Sequence, residues 1–522
     1  MTRSFPGRSS QASVWLALAM LLWLTGCSPL PPLEGRSETQ QLPVAQARQT
    51  ALGEMVSPLV AQHDDIDGFH ALRNARDAFA ARLLLAESAE RTLDVQYYIW
   101  HDDITGSLLY RALLDAADRG VRVRMLLDDT NTTGLDHKLA ALDAHPNIEV
   151  RLFNPFVIRS PRFVGYLTDF SRANRRMHNK SFTADNQATI IGGRNIGDEY
   201  FGAATDMAFS DLDVLAIGPI VQDVSSDFDR YWSSRSAYPA SRLIDSAGRE
   251  GTARLEAQLD ELLAQPEARG YLQALEEEPL IQRLREGRLP LIWAEAKMVS
   301  DDPAKGLGEA DDEALLTGRI RGLLGPPEQA VYLVSPYFVP MDKGTRLFTD
   351  LEAHGVDVTI LTNALEATDV GAVHAGYAKH RRELLEAGVR LFELKRQPGA
   401  PGRSEAAGPF GSKGASLHAK TFSVDGKRLF VGSFNFDPRS AKLNTELGFV
   451  IESPELAQEM AEVFREDIPG NAYEVRLDDN DDLVWLERTD DGTIRHHSEP
   501  NVGLLRRGWV TFISVLPIDW ML

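Results

Sequence analysis

The sequence predicts an α/β protein made of two homologous α/β halves, each with a mostly parallel sheet, packed by pseudo-twofold symmetry around one shared active site. Two observations carry this prediction: one motif recurs at an offset of 240 residues, and apolar strands alternate with amphipathic helices ahead of each copy. Apolar residues make up 43% and charged residues 25% of the 522 residues, which is typical of a globular protein.

The order of these signals divides the chain into six segments. The first two are a signal peptide at 1–26 and a tether at 27–70, whose proline and glutamine residues indicate an extended chain. The others are a first domain at 71–240, a helical insert at 241–288, a second domain at 289–470, and a C-terminal hairpin with a helix at 471–522.

The N-terminus has the parts of a bacterial export signal. Two arginines are followed by an apolar run at 12–24, which is shorter than the roughly 20 residues that a membrane-spanning helix needs. The sequence LTGC then resembles the bacterial lipobox, which implies lipidation of Cys27, the single cysteine of the chain. We therefore expect a lipid-anchored protein on the periplasmic face of the envelope, and Ser28 favours the outer membrane.

Charge and cysteine content exclude several classes of protein. The net charge of −21 argues against a nucleic-acid partner, because binding to a nucleic-acid backbone depends on clustered lysine and arginine. One cysteine excludes a disulfide within the chain and a metal site built from several thiolates.

The recurring motif is HxKxxxxD. Its two copies are His178, Lys180 and Asp185, and His418, Lys420 and Asp425. Each copy opens a short strand, which is followed by an Asp-containing turn and a second strand, so both are predicted hairpins. Side chains two apart on a strand share a face, and the histidine and lysine of each copy therefore point to the same side.

The elements ahead of each copy also repeat. In the first half they are a strand at 93–100, a helix near 107–118 and a strand from Val121. In the second half they are a strand at 331–339, a helix near 345–353 and a strand from Val356. This alternation is typical of βαβ units with parallel strands.

The duplicated motif resembles the signature of the phospholipase D superfamily. RTLDVQYYIW, GGRNIGDEYFG and SPYFVP resemble its cardiolipin synthase C branch in particular, and the resemblance covers nearly all of residues 70–522. It implies a phosphatidyltransferase that makes cardiolipin from phosphatidylglycerol and another phospholipid. A phospholipase D hydrolase uses the same chemistry with water as acceptor; a nuclease and a non-catalytic lipid-binding lipoprotein are further alternatives.

The resemblance also implies roles for the motif residues. His178 is expected to attack phosphorus and form a phosphohistidine, while His418 protonates the departing alcohol and deprotonates the incoming one. Lys180 and Lys420 would neutralise the nonbridging oxygens. Because imidazole supplies the nucleophile and ammonium the charge, no metal or cofactor is expected. Phospholipid substrates and a membrane surface are the expected partners, and the oligomeric state is not predicted.

Two asparagines accompany the two motifs. Asn195 and Asn435 recur downstream at the same offset and are expected to donate hydrogen bonds to the same phosphate oxygens. Asp185 and Asp425 belong to the motif, but their place at the hairpin turn favours a role in holding the loop over direct contact with phosphate.

Carboxylates are expected to hold the histidines in the required tautomer. Glu446 precedes the strand LGFVI, and Asp211 precedes the equivalent strand LDVLAI, so strand placement makes Asp211 the orienting carboxylate for His178. A gapless offset of 240 residues would select Asp206 instead.

Overall fold

The computed structural model describes residues 30–204, 208–396 and 415–514. The predictions for the signal peptide, for Cys27 and for Asp206 lie outside these residues.

The first half and the insert alternate strands with helices. The strands are β1 (Asp67–Leu72), β2 (Thr92–Ile99), β3 (Arg122–Asn131), β4 (Ile148–Phe153), β5 (Ser181–Ala184), β6 (Ala188–Gly192), β7 (Ala208–Ser210), β8 (Asp213–Ile217) and β9 (Ala237–Pro239). The helices are α1 (Val44–Ala47), α2 (Ala51–Ala61), α3 (Ala75–Ser88), α4 (Ile104–Asp118), α5 (Asp136–Asp143), α6 (Phe163–Thr168), α7 (Phe170–Ala173), α8 (Asp198–Phe201), α9 (Ile220–Trp232), α10 (Gly248–Leu263), α11 (Pro266–Glu276) and α12 (Pro279–Arg285).

The second half repeats this order and adds a C-terminal meander. Its strands are β10 (Ile292–Ser300), β11 (Ala330–Val334), β12 (Asp357–Asn363), β13 (Arg390–Leu394), β14 (Ala415–Leu417), β15 (Thr421–Val424), β16 (Arg428–Gly432), β17 (Leu447–Glu452), β18 (Ala472–Leu477), β19 (Leu483–Thr489) and β20 (Gly492–His496). Its helices are α13 (Leu316–Leu324), α14 (Met341–Ala353), α15 (Gly371–Ala378), α16 (Arg381–Glu386), α17 (Pro438–Lys442), α18 (Pro454–Glu466), α19 (Ile468–Asn471) and α20 (Leu504–Ser514).

The two halves share one sheet of 18 strands. From one edge the order is β9-β4-β3-β2-β5-β6-β8-β1, and it continues as β10-β17-β16-β15-β11-β12-β13-β18-β19-β20. The antiparallel pair β1 and β10 forms the joint, and the strand order on its two sides is related by the expected pseudo-twofold symmetry. The predicted fold class is confirmed.

The sheet is mixed in strand direction. Strands β2, β3 and β4 run parallel, as do β11, β12 and β13, because an α-helical crossover separates the members of each set. The motif hairpins and the strands that follow them are antiparallel. The carboxyl ends of the parallel strands meet at one edge in each half, where a shared site is expected.

The segment interpreted as a tether differs from that prediction. Part of it is extended, but it lies along the first half: Arg151 donates a 2.7 Å hydrogen bond to the carbonyl of Ser37, and Arg124 a 2.8 Å bond to the carbonyl of Thr39. Residues from Val44 onward form α1 and α2, whose apolar face packs into the core of the first half. Buried arginines that need carbonyl acceptors explain why this part of the chain is held.

The insert and the C-terminal segment pack against different halves. Leu255, Leu259 and Tyr271 of the insert join the core of the first half. The meander β18-β19-β20 extends the sheet of the second half beyond β13. Among the residues that the structure describes, none of the helices has the length and apolar character needed to cross a membrane.

Candidate active site

The two motif histidines lie in one buried cluster where the halves meet. The backbone N–H of His178 donates to the carbonyl of Thr445 in the second half (2.8 Å), and that of His418 donates to the carbonyl of Ser210 in the first (2.8 Å). The short strands β7 and β14 pair in parallel across the same boundary. Each half therefore supplies backbone acceptors that fix the histidine of the other.

Each histidine is also held by a carboxylate of the opposite half. Nδ1 of His178 lies 2.8 Å from Oε2 of Glu446, and Nδ1 of His418 lies 2.6 Å from Oδ2 of Asp211. This corrects the expectation that Asp211 orients His178. Each carboxylate directly follows a residue whose carbonyl binds the other half, Ser210 before Asp211 and Thr445 before Glu446. The carboxylate side chain therefore reaches the histidine of the other half. Both pairs leave Nε2 as the nitrogen that can face a substrate.

Two lysines complete the cluster. Nζ of Lys180 donates to the carbonyl of His178 (2.6 Å), and Nζ of Lys420 donates to the carbonyl of His418 and lies 3.1 Å from its Nδ1. Burial, opposed by nearby carboxylates, lowers the pKa of Lys180 to about 7 and that of Lys420 to about 8. Two buried ammonium groups this close to each other favour an anionic ligand between the halves.

The pKa values of the two carboxylates are shifted in opposite directions. Burial raises the pKa of Glu446 to about 7. Burial alone would also raise the pKa of Asp211, but the hydrogen bond with His418 and the charge of Lys420 outweigh it and hold that pKa at about 2. Asp211 is therefore an anion at neutral pH, whereas Glu446 titrates there.

The residues beside these carboxylates also differ. Gly193 has no side chain, and a Cβ there would lie 2.1 Å from Oδ1 of Asp211, so glycine is required by the close approach. At the equivalent place in the second half, the hydroxyl of Ser433 donates a hydrogen bond to Oε2 of Glu446. The first half thus makes room for Asp211, whereas the second half donates a hydrogen bond to Glu446.

The surroundings of the two imidazoles also differ in their effect on the pKa of each ring. Burial, reinforced by the charges of Lys180 and Lys420, holds the pKa of His178 well below its ordinary value, which favours the neutral ring. Burial and Lys420 also lower the pKa of His418, but Asp211 opposes them. The arrangement thus combines a neutral imidazole with one whose protonated form has an adjacent anion.

The motif aspartates lie at the far end of the hairpins. Asp185 accepts hydrogen bonds from the backbone N–H groups of Arg91 and Thr92, at 2.8 Å each. Asp425 binds the equivalent loop, with Gln329 donating at 2.7 Å. These contacts are those expected of residues that hold the loop, because the two aspartates connect each hairpin to the start of β2 or β11.

The two asparagines are not equivalent. Asn195 accepts from the backbone N–H of Ile99 (3.1 Å), and its amide donates to the hydroxyl of Tyr200 (3.1 Å), so one of its two amide hydrogens is already engaged. Asn435 is buried, and its Oδ1 lacks a hydrogen-bond partner among the residues that the structure describes. Their expected contacts with phosphate stay a prediction.

Aromatic rings surround the histidines. Tyr98 meets His178 edge to face with 5.0 Å between centroids, while Tyr200 and Phe209 lie 5.3 and 5.0 Å from the ring of His418. These rings exclude water from the imidazoles, which accounts for the burial that shifts their pKa values. Sequence reasoning did not identify Tyr200 or Phe209, because they pack on the histidine of the other half.

Asp301 supports the site through the backbone of Glu446. Its Oδ2 accepts from the backbone N–H of Glu446 (2.9 Å) and from Nζ of Lys305 (2.9 Å), and its own N–H donates to the carbonyl of Glu446 (3.0 Å). Asp301 is buried and braces the backbone at Glu446. A local acidic pair offers no signal for a contact 145 residues away.

Two other groups of side chains bring possible metal ligands within 4.8 Å of one another. In the first, His101 pairs with Glu199, and Asp103 caps α4 by accepting from the backbone N–H of Gly106 (2.9 Å). In the second, which joins His374 to two glutamates, the guanidinium of Arg381 already contacts both carboxylates. Hydrogen bonds and ion pairs within the protein account for both groups.

Comparisons with known proteins agree with this geometry. A family model described as "Cardiolipin synthase, PLD-like domain" matches residues 84–232 and 320–468. The chain is 50% identical over 471 residues to cardiolipin synthase C of Escherichia coli strain K12, which covers 90% of this chain and 99% of that protein. It is 27% identical to cardiolipin synthase A of Pseudomonas syringae, over 72% of this chain and 63% of that protein.

A solved structure shows the same fold. The crystal structure of phosphatidylserine synthase from Haemophilus influenzae matches with a TM-score of 0.54 and 11% sequence identity, and covers 90% of this chain and all of the other.

Proposed function

Because this chain belongs to the family of cardiolipin synthase proteins with phospholipase D-like domains, we propose that it is a phosphatidyltransferase that makes cardiolipin from phosphatidylglycerol and a second phospholipid. The observation that carries the proposal is the pair of imidazole–carboxylate contacts that cross between the halves beside two buried lysines. This arrangement suits a phosphodiester, which needs charge neutralisation and a displacement divided into two steps.

In the first step Nε2 of His178 forms a bond to phosphorus, and the bond from phosphorus to the oxygen of the departing headgroup alcohol breaks. His418 gives its proton to that oxygen, while Lys180 and Lys420 neutralise the nonbridging oxygens. In the second step His418 takes the proton of the acceptor hydroxyl, whose oxygen bonds to phosphorus and releases His178. All atoms and protons of the transfer are thereby accounted for.

The unequal electrostatics support this division of roles. A nucleophile must be neutral, and the pKa of His178 lies well below its ordinary value because the ring is buried beside two lysines. A general acid needs a stable protonated form, and the ionised Asp211 stabilises an imidazolium at His418. In the opposite assignment His178 would be the general acid, and its protonated ring would depend on Glu446, the carboxylate that titrates near neutral pH.

The acceptor distinguishes transfer from hydrolysis. Purified protein incubated with mixed phosphatidylglycerol and phosphatidylethanolamine vesicles is expected to yield cardiolipin, resolved by mass spectrometry. The matched control is the same mixture with the His418→Ala variant. Phosphatidic acid as the sole product would reject transfer in favour of hydrolysis.

The location of the enzyme is part of the proposal. LTGC at the N-terminus supports lipidation of Cys27 and a position on the periplasmic face of the outer membrane. There, both substrates would be phospholipids of the same membrane. Metabolic labelling with a tagged fatty acid should mark the full chain and fail to mark a Cys27→Ser variant, and equal labelling of the two would contradict this location.

At low pH, kcat/KM should follow the ionisation of Glu446. Its carboxylate must be ionised to hold the Nδ1 proton of His178, so kcat/KM should rise as pH approaches about 7. Because the pKa of Lys180 is also about 7 and that of Lys420 about 8, kcat/KM should pass through a narrow maximum near pH 7 and fall above it as the lysines lose their protons. Ser433→Gly removes a hydrogen bond that lowers the pKa of Glu446. We expect the rising limb to move up by about one pH unit, since a bond to a charged group contributes about 1.5 kcal/mol.

A matched control for that shift is Ser423→Ala. Ser423 is buried in the same hairpin, but its hydroxyl has no hydrogen-bond partner among the residues described, so its removal should leave both limbs in place. A rising limb that stays fixed in Ser433→Gly would remove Glu446 from the titration.

A further inference from the structure

Helix α20 is packed on one face only. Val510 and Ile513 are buried against Leu365 and Ala375 of the second half. This fixes the helix on α15, and Gly371 at the start of α15 lies so near that an added Cβ would be 3.6 Å from Val510. The helix is therefore a fixed part of the surface.

A neighbouring face of the helix is apolar and exposed. Leu505 is 92% exposed, Trp509 59% and Phe512 55%, and the last two rings stack with 6.0 Å between centroids. These residues recur at helical spacing and form one stripe. Large apolar side chains grouped in this way on a surface indicate a binding site for an apolar partner.

Helix α20 also contacts the loop that leads to the active site. Arg506 of α20 donates a 2.8 Å hydrogen bond to the carbonyl of Thr368. The next residue, Asp369, accepts from the hydroxyl of Tyr337 (2.7 Å), and its charge raises the pKa of Lys420. Helix α20 is thus connected to a catalytic lysine through a single loop.

The first half also has an exposed apolar surface. Phe163, Leu167 and Phe170 of α6 and α7 are 63%, 79% and 44% exposed. They lie on the segment that leaves the carboxyl end of β4 and leads directly to His178. Because the carboxyl ends of the parallel strands face the site, each half has an exposed apolar surface on a segment that is connected to the site.

We propose that α20 and the α6–α7 segment dock the active site onto an anionic phospholipid surface. The charge of the helix favours this occupant: α20 has two arginines and no carboxylate in a chain of net charge −21, and its exposed stripe contains a tryptophan and a phenylalanine. An amphipathic helix of this composition lies in the headgroup region of anionic membranes. The inference rests on the proposed function, since docking places the active site against the phospholipid layer that holds the substrates.

Docking is tested independently of catalysis by hydrogen–deuterium exchange of the full chain. Vesicles of phosphatidylglycerol and phosphatidylethanolamine should slow exchange in residues 504–514 and 163–173, and phosphatidylcholine vesicles should do so less. Unchanged exchange with all vesicles would overturn the proposal. Slowing that depends on protein concentration and needs no vesicles would assign the face to a second copy and overturn it equally.

The paired substitution Leu505→Glu with Trp509→Glu tests the consequence for turnover. The ratio of activity on vesicles to activity on monomeric short-chain phosphatidylglycerol should fall by about tenfold or more, because two apolar anchors become anions at an anionic surface. Met55→Glu is the matched control, since Met55 is 46% exposed on α2, and its ratio should not change. An unchanged ratio in the paired variant would contradict docking, whereas wild-type protein that is inactive on both substrates but protected by vesicles would contradict only the proposed function.

Discussion

Replacing His178 or His418 by alanine is expected to lower phosphatidyl transfer by about 10⁴-fold or more, because in the proposed mechanism the first variant lacks the nucleophile and the second lacks the proton donor for the leaving group. The measurement is the initial rate of cardiolipin formation in vesicles. Circular dichroism should show folded protein in both cases, although a buried carboxylate left without its imidazole costs about 1–3 kcal/mol of stability.

The two variants should differ with an activated substrate. A nitrophenyl phosphodiester has a leaving group that needs no proton, so His418→Ala should still release one equivalent of nitrophenol in a burst and retain the phosphoryl group on His178. His178→Ala should show no burst. A burst in His178→Ala alone would reverse the two roles, and appreciable transfer by either variant would contradict a shared two-histidine site.

A control variant is available in the same chain. His137 is exposed on α5 and belongs to neither motif, so His137→Ala should retain wild-type rates with both substrates. Loss of activity in this variant would show that the assay responds to any lost histidine.

Much of the fold could be predicted because its signals are local. The alternation of strands and helices identified β2, α4 and β3 to within a few residues. The histidine and lysine of each copy were predicted to open a strand, but they lie just before β5 and β15. The duplication then required two related halves. Each of these inferences depends on neighbours along the chain or on its comparison with itself.

The contacts that cross between the halves could not be predicted in the same way. Strand placement correctly selected Asp211 as a carboxylate of the site, yet it binds His418 and not His178, because the packing of the halves decides which side chain it reaches. Asp301 and Tyr200 act across large separations in sequence and have no local pattern. The docking of residues 30–43 was missed for a related reason: a proline-rich segment can be extended either in solvent or along a surface.

The exchange of carboxylates between halves leads to the prediction with the next largest effect. Asp211→Asn is expected to lower kcat by about 10⁴-fold, because an amide no longer stabilises the imidazolium of His418 and can bind the wrong tautomer. Glu446→Gln should cost less, about 10²-fold, since Glu446 is already partly protonated near neutral pH and its loss affects a ring that reacts as a neutral group.

The two substitutions should also respond differently to the leaving group. If Asp211 acts through the acid His418, a nitrophenyl leaving group should restore the burst in Asp211→Asn but leave Glu446→Gln slow, since Glu446 acts on the nucleophile. Asp245→Asn, at an exposed carboxylate, is the matched control and should behave as wild type. If each carboxylate instead served the histidine of its own half, the burst would return in Glu446→Gln and not in Asp211→Asn, and the crossed pairing would lose its functional meaning.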